Sequence, residues 1–149
     1  MKRAGAAAGS SQRRRWRRAA IAALLLVAYP AFVLGATYQQ FFRADLPGGR
    51  NGPADAYRHS LASAIVAYTL SPRCVEWVTD VMERGGDGNA SRAMDAHNNH
   101  IGARIGATAP SWNEMQEAVR NAVRDGAVDA TDPDRITWLP ASRWQNRLY

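Results

Sequence analysis

The stretch MDAHNNHIGARIGA, residues 94–107, places an aspartate, two histidines and two asparagines at the start of a predicted helix. Residues three and four apart share one face of a helix, so part of this set forms a polar stripe. The members of this stripe are Asp95, Asn98, Asn99, Gly102 and Gly106. Glycine inside a helix costs about 1 kcal/mol relative to alanine, and close approach of another backbone is the usual reason for it. The pattern therefore predicts that the stripe faces a second helix.

The partner helix is predicted in ADAYRHSLASA, residues 54–64. Asp55 and His59 are four residues apart and share one face, and the small residues Ala62 and Ser63 follow a turn later. Small side chains favour close helix contact. We therefore expect Asp55 and His59 to face Asp95, Asn98, Asn99 or His97 across a tight helix pair.

The remaining pattern is mostly α-helical. The four predicted helices cover 53–70, 72–84, 89 or 91 to just before Pro110, and 111–125. Ser111 and Glu114 have the spacing of a capping box, and Gly126 is suited to end the last helix. The second helix is expected to bury Val75, Val78 and Met82, with Trp77 as a further candidate. A loop is expected over 85–88. The chain after Gly126 is read as extended, with a short strand or packed tail over 136–139.

Charge is distributed unevenly along the 149 residues, which carry a formal net charge of +6. Residues 1–36 hold seven of the 19 basic residues and none of the 13 acidic ones, so the rest of the chain is close to neutral. A nucleic-acid footprint should lie on the folded domain. The sequence therefore predicts no nucleic-acid partner.

An apolar run follows the basic start, AAIAALLLVAYPAFVLGA over residues 19–36, with no charged side chain. As a helix it reaches about 27 Å, just enough to cross a hydrocarbon core. Its basic flank favours a cytoplasmic N-terminus and an outward-facing remainder. Two interpretations stay open: an uncleaved anchor, or a secretory signal with a break at Pro30 and cleavage near residues 33–36.

The expected helix pair would bring together the two carboxylates, the imidazoles and the amides of the two motifs, and such a polar group has two explanations. As a functional site, a histidine held by a carboxylate is a tuned general base, and a second carboxylate serves as acid or orients water. The same groups are also capable of binding a divalent metal, although the spacing differs from the two-histidine zinc helix. As a structural network, the same groups satisfy one another and fix the helix register.

At these residues the sequence resembles an uncharacterised bacterial domain family with an Asp-Ala-Phe/Tyr-Arg-His motif followed by Met-Asp-x-His-Asn-Asn-x-x-Gly. The resemblance rests on DAYRHSLASA and AMDAHNNHIGARIG and covers roughly residues 52–140. Such domains occur in wall-associated and Rhs-type secreted proteins, which implies an extracytoplasmic, toxin-like or cell-wall-related setting. Family members often carry a His-Glu pair between the motifs, where this chain has WVTDVMERGG. If that pair is needed for the chemistry, this member is inactive.

The sequence thus predicts a small four-helix domain with a short extended tail, preceded by one membrane helix. The expected organisation is a basic cytoplasmic region (1–18), an anchor or signal peptide (19–38) in contact with lipid, a linker (39–52) and an extracytoplasmic helical domain (53–149). The chain is expected in the bacterial inner membrane, or secreted after cleavage. We expect an envelope hydrolase or toxin-like domain, or alternatively a non-catalytic interaction module.

Two sets of site residues follow from these motifs, with metal and cofactor unassigned. The predicted catalytic residues are Asp55, His59, Asp95, His97, Asn98 and Asn99, and the predicted substrate-binding residues are Arg58 and Arg104.

Overall fold

The computed structural model of the chain describes residues 5–83 and 89–145. Its elements are α1 (Gly5–Ala44), α2 (Pro53–Thr69), α3 (Pro72–Glu83), α4 (Ala90–Thr108), α5 (Trp112–Arg124), β1 (Ala127–Val128), β2 (Thr137–Trp138) and a 3-10 turn (Ala141–Arg143). The chain divides into two compact units, Met1–Gly35 and Ala36–Tyr149. The predicted loop over 85–88 and the side chain of Met82 lie outside the described part.

Helix α1 contains one segment, Gln12–Ala44, that is long and apolar enough to cross a membrane by length and composition. The helix continues through Pro30 and ends at Ala44, so residues 39–44 are helical where the sequence predicted linker. Neither glycine nor proline occurs between Ala36 and Pro47, so nothing in the covalent chain forces an earlier end.

The four predicted helices of the second unit are confirmed as α2 to α5, with bounds within two residues of those expected. Pro53 opens α2, where its missing N–H has no helical partner to lose. The side chain of Asn89 caps α4 by accepting a hydrogen bond from the backbone N of Arg92. Ser111 caps α5, accepting from the backbone N of Glu114 and donating to its carboxylate.

The core lies between α2 and the helices packed against it. Its largest fully buried apolar side chains come from α2, from α5 and from the segment before β2. They are Tyr57, Leu61, Ile65, Met115, Val119, Val123 and Ile136.

The predicted burial of Val78 is wrong, since 47% of this residue is exposed, and Trp77, the further candidate, is 69% exposed. Val75 is buried as expected and Thr79, one turn later, is half-buried. The inward face of α3 is therefore set by the four-residue step from Val75 to Thr79. Val78 lies at the edge of that face.

Helices α2 and α4 approach so closely that two glycines are required between them. A Cβ at Gly102 would lie 2.1 Å from the carbonyl oxygen of Ser60, and one at Gly106 would lie 2.1 Å from that of Ala64. The predicted reason for both glycines, close backbone contact with the first helix of the domain, is confirmed.

The C-terminal tail folds back onto this helix pair. Strand β1 pairs in parallel with β2, with Ala127 opposite Thr137 and Val128 opposite Trp138. The predicted short strand over 136–139 is confirmed as β2, while β1 was not predicted. Further along, Arg50 and Gln145 form an antiparallel bridge that joins the tail to the loop before α2.

Candidate functional site

Four side chains from α2 and α4 meet at one end of the helix pair. We call Asp55, Arg58, His59 and Asp95 the polar cluster. His59 Nε2 lies 3.4 Å from Asp55 Oδ1 and 3.5 Å from Asp95 Oδ1. The side chain of Asp55 is 3% exposed, whereas those of His59 and Asp95 are each 29% exposed. The cluster therefore has a buried floor and a solvent-accessible rim, and the predicted meeting of His59 with Asp95 is confirmed.

Both oxygens of the Asp55 carboxylate accept hydrogen bonds. Oδ2 accepts from the backbone N–H of Asn51 at 2.6 Å, and Oδ1 accepts from the Arg58 guanidinium. Burial opposes ionisation of Asp55, but the hydrogen bonds from His59 and Asn51 and the charges of His59 and Arg58 outweigh it. The pKa of Asp55 is therefore below its ordinary value, and this carboxylate remains charged at neutral pH.

The pKa of Asp95 is shifted in the opposite direction. Its Oδ1 is buried and accepts no hydrogen bond from the described residues. Burial above all, together with the nearby negative charge of Asp55, raises the pKa of Asp95 to about 6, and the charges of His59, Arg58 and Arg50 limit the rise. A carboxyl group with such a pKa exchanges protons readily near neutral pH.

Two carboxyl groups whose environments push their pKa values apart, on either side of an imidazole, form a typical acid–base arrangement. A divalent metal is a weaker fit. Asp55, His59 and Asp95 do offer ligand atoms within 4.8 Å of one another. However, Arg58 donates to the same Asp55 oxygen that faces His59, so a cation there would meet a guanidinium charge.

The two asparagines of the α4 motif serve the packing around the cluster. The Asn98 side chain is fully buried, donates to the carbonyl oxygen of Thr137 at 2.8 Å and accepts from its backbone N–H at 3.0 Å. Asn99 accepts a hydrogen bond from the hydroxyl of Ser63 at 2.9 Å, one turn along the helix pair. Asn98 therefore fixes the tail, and Asn99 fixes α2 against α4.

His97 lies outside the polar cluster, contrary to the grouping expected from the motif. It follows Asp95 by two residues, which turns it about 200° around the helix. Its Nε2 lies 2.8 Å from the carbonyl oxygen of Arg135 in the tail. The helical spacing of α4 already puts His97 on a different stripe from Asp95, and the structure shows that this stripe faces the tail and not the cluster.

Arg104 is also remote from the cluster. Nine residues after Asp95, it points to the other side of α4 and lies about 13.5 Å along the axis. There it forms an exposed ion pair with Asp134, with 48% of the arginine side chain accessible. Of the two predicted substrate-binding arginines, the structure brings only Arg58 to the cluster.

Sequence reasoning missed Asn51, which lay in the predicted linker. Its backbone N–H binds Asp55, and its φ of 63° is in the left-handed region. Asparagine tolerates that conformation better than most residues, so Asn-Gly immediately before the helix-opening Pro53 was the available signal. The charge of Arg50, the preceding residue, also acts on Asp95.

The sequence model of one protein family, described as "Domain of unknown function (DUF6973)", matches residues 25–127. No curated protein and no solved structure matches the chain.

Proposed function

The chain belongs to the DUF6973 family of domains of unknown function, and we propose that it is a membrane-anchored envelope hydrolase whose acid–base centre is the polar cluster. The observation that carries this proposal is the position of His59 Nε2, 3.4 Å from a buried, ionised carboxylate and 3.5 Å from a second carboxyl group at the accessible rim. Such separated carboxyl environments are typical of acid–base centres.

Each member of the cluster has a role in this proposal. Asp55, held by Asn51 and Arg58, stays ionised and orients His59. Asp95, at the rim, takes a proton from water as the water oxygen bonds to the electrophilic centre of the substrate. The bond to the leaving group breaks with its electron pair, and the His59 imidazolium donates a proton to the leaving atom. Proton transfer from Asp95 to His59 then restores the starting state.

The proposed setting is extracytoplasmic. The apolar helix segment within Gln12–Ala44 supplies a candidate membrane anchor. The seven basic residues within 1–36 all precede the apolar run, which favours retention of the N-terminus in the cytoplasm. The polar cluster would then act on a component of the envelope: peptidoglycan, lipid or protein.

The full chain, directed to the periplasm of a bacterial host, tests this function through growth and lysis. Variants His59→Gln and Asp95→Asn keep side-chain size and some hydrogen bonding. Asp134→Asn is a matched control, because Asp134 is 69% exposed and pairs with Arg104 away from the cluster. The purified full chain in detergent is assayed on labelled peptidoglycan sacculi, on phosphatidylethanolamine–phosphatidylglycerol vesicles and on casein.

We expect the wild type and Asp134→Asn to impair growth or to release label from one of these substrates. Both cluster variants should lose that effect, by at least about 100-fold in rate, without a fall in melting temperature. The opposite pattern, an inactive wild type with strongly destabilised cluster variants, would instead establish the cluster as a structural network. A mispaired buried group costs about 1–3 kcal/mol, which is readily measured by thermal unfolding.

A further inference from the structure

We infer that Asn51 is a positioning residue through which the C-terminal tail holds the Asp55 carboxylate in place. The inference rests on the proposed function, in which Asp55 orients His59. It assigns to the tail a regulatory part in the same site: the geometry of the cluster depends on whether residues 139–145 are docked.

The contact that matters is made by the main chain of Asn51. Its N–H donates to Asp55 Oδ2 at 2.6 Å, in a fully buried position. A short hydrogen bond to a carboxylate stabilises the charged form and fixes the plane of the carboxyl group. Because the N–H belongs to the backbone, its aim is decided by the conformation of the loop before α2.

Hydrogen bonds to the C-terminal tail hold the backbone conformation of Asn51. Asn51, 5% exposed, has a left-handed φ of 63°. Its carbonyl oxygen accepts from the backbone N–H of Leu139 at 2.9 Å. Its side-chain Nδ2 donates to the carbonyl oxygen of Arg143 at 3.0 Å. One residue thus joins Asp55 to two separate points of the tail.

Further contacts join the loop over 48–52 to the tail over 139–145, and we call this set of contacts the clasp. The backbones of Arg50 and Gln145 exchange two hydrogen bonds of 3.0 and 3.1 Å. The Trp144 ring is in tight contact with Gly48 and Gly52, where a Cβ would lie 3.1 Å from it. The indole Nε1 in turn donates to the carbonyl oxygen of Leu139 at 2.7 Å. The loop is also held by α2, through the backbone N–H groups of Ala54 and Asp55 on the carbonyl oxygens of Pro47 and Gly48. Release of the tail would therefore remove the bonds that fix Arg50 and Asn51 and loosen the aim of the Asn51 N–H.

The test compares Asn51→Gly with Asp129→Gly. Asn51 and Asp129 both have positive φ, and Asp129 lies in the tail turn after β1, so each variant places glycine where glycine is conformationally tolerated. Only Asn51→Gly removes the side-chain bond to Arg143. The full chain in detergent micelles is titrated by NMR, following the carboxyl carbon of Asp55 and the ring of His59, with His59→Gln used for assignment.

We expect the titration midpoint of Asp55 to rise by about 1 pH unit in Asn51→Gly and to stay unchanged in Asp129→Gly. A purely structural role would lower the melting temperature of Asn51→Gly and leave the Asp55 midpoint unmoved. An unchanged Asp55 midpoint in Asn51→Gly, together with faster hydrogen exchange at Leu139, would overturn the inference.

A second variant keeps the test decisive if Asn51→Gly does not fold. Trp144→Leu loosens the clasp without altering Asn51, and it should shift the Asp55 midpoint in the same direction. Failure of this inference is distinguishable from failure of the proposed function because the titration involves no substrate. If Asp95→Asn retains a wild-type envelope effect, the hydrolase proposal fails while a shifted midpoint still stands.

Discussion

Asp55 and Asp95 both lie within 3.5 Å of the same imidazole nitrogen, yet their surroundings shift their pKa values in opposite directions. Asp55 receives a backbone N–H and a guanidinium, which compensate for its burial. Asp95 has a buried oxygen with no hydrogen-bond donor among the described residues. The difference between the two carboxyl groups therefore comes from the donors around them.

This difference predicts a pH dependence of stability that Asp95→Asn removes. The pKa of Asp95 is raised from its ordinary 3.8 to about 6, so the folded chain holds this proton more tightly than the unfolded chain. Ionisation of Asp95 then costs stability, and the cost declines as pH falls through 6. Relative to Asp95→Asn, the wild type should gain about 1 kcal/mol between pH 7.5 and pH 5.

Thermal unfolding of the full chain in detergent at several pH values measures this gain. The groups that face Asp95 are His59, Asp55, Arg58 and Arg50, and all remain in the variant. Asp55→Asn is the contrasting control. Because the pKa of Asp55 is lowered, its contribution to stability is present above pH 3.8 and is lost as pH falls below that value. A wild type and an Asp95→Asn variant with parallel pH profiles would contradict the assignment.

At the scale of helices, the contact between α2 and α4 depends on the absence of side chains. Gly102→Ala would place a Cβ 2.1 Å from the carbonyl oxygen of Ser60, so the helices must separate. We expect a loss of about 1–3 kcal/mol or more from overpacking, despite the gain in helix propensity. The measurement is chemical denaturation of the full chain.

Gly35→Ala is the matched control within α1. A Cβ at Gly35 meets no described atom within 4 Å, so the same substitution should be neutral or stabilising there. Equal effects of the two substitutions on the unfolding midpoint would show that the α2–α4 contact is more adaptable than its geometry indicates.

The tail offers a second prediction at this scale. The Asn98 amide acts as a strand partner for Thr137, donating to its carbonyl and accepting from its N–H. Asn98→Asp loses the donor and buries a charge, and we expect a loss of at least about 2 kcal/mol with faster hydrogen exchange at Thr137. Asn99→Asp preserves an acceptor for Ser63 and should be mild. Similar exchange rates at Thr137 in both variants would contradict this role.

Much of this architecture could be predicted from sequence because its signals are local. Proline at a helix start, a serine capping box and two glycines four apart each act within one element, and each was read correctly. The site was predicted only in part. Asp55, His59 and Asp95 meet across the glycine contact, as their helix faces predict. Asn98, on the same stripe as Asp95, and His97 instead bind tail residues nearly forty positions away. The spacing of residues within one helix does not show which distant loop or tail segment those side chains contact.

At the scale of the whole molecule, the proposed topology predicts where the C-terminus lies. With the basic flank retained in the cytoplasm, a reporter active only in the periplasm should be active when fused after residue 149. A fluorescent reporter that folds only in the cytoplasm serves as the reciprocal control. The apparent mass of the mature chain separates an anchor from a cleaved signal. Activity of the cytoplasmic reporter alone would reverse the proposed topology.

The glycine crossing of α2 and α4 has a consequence for how this domain can diverge. The facing main chains, in contact at Gly102 and Gly106, set the distance between the helices that carry Asp55 and Asp95. Apolar side chains elsewhere in the core do not make this contact, so volume-conserving changes there leave that distance intact. Sequences built on this scaffold should therefore vary more readily at core positions than at Gly102 and Gly106, and the spacing of the proposed acid–base groups would be inherited through two missing methyl groups.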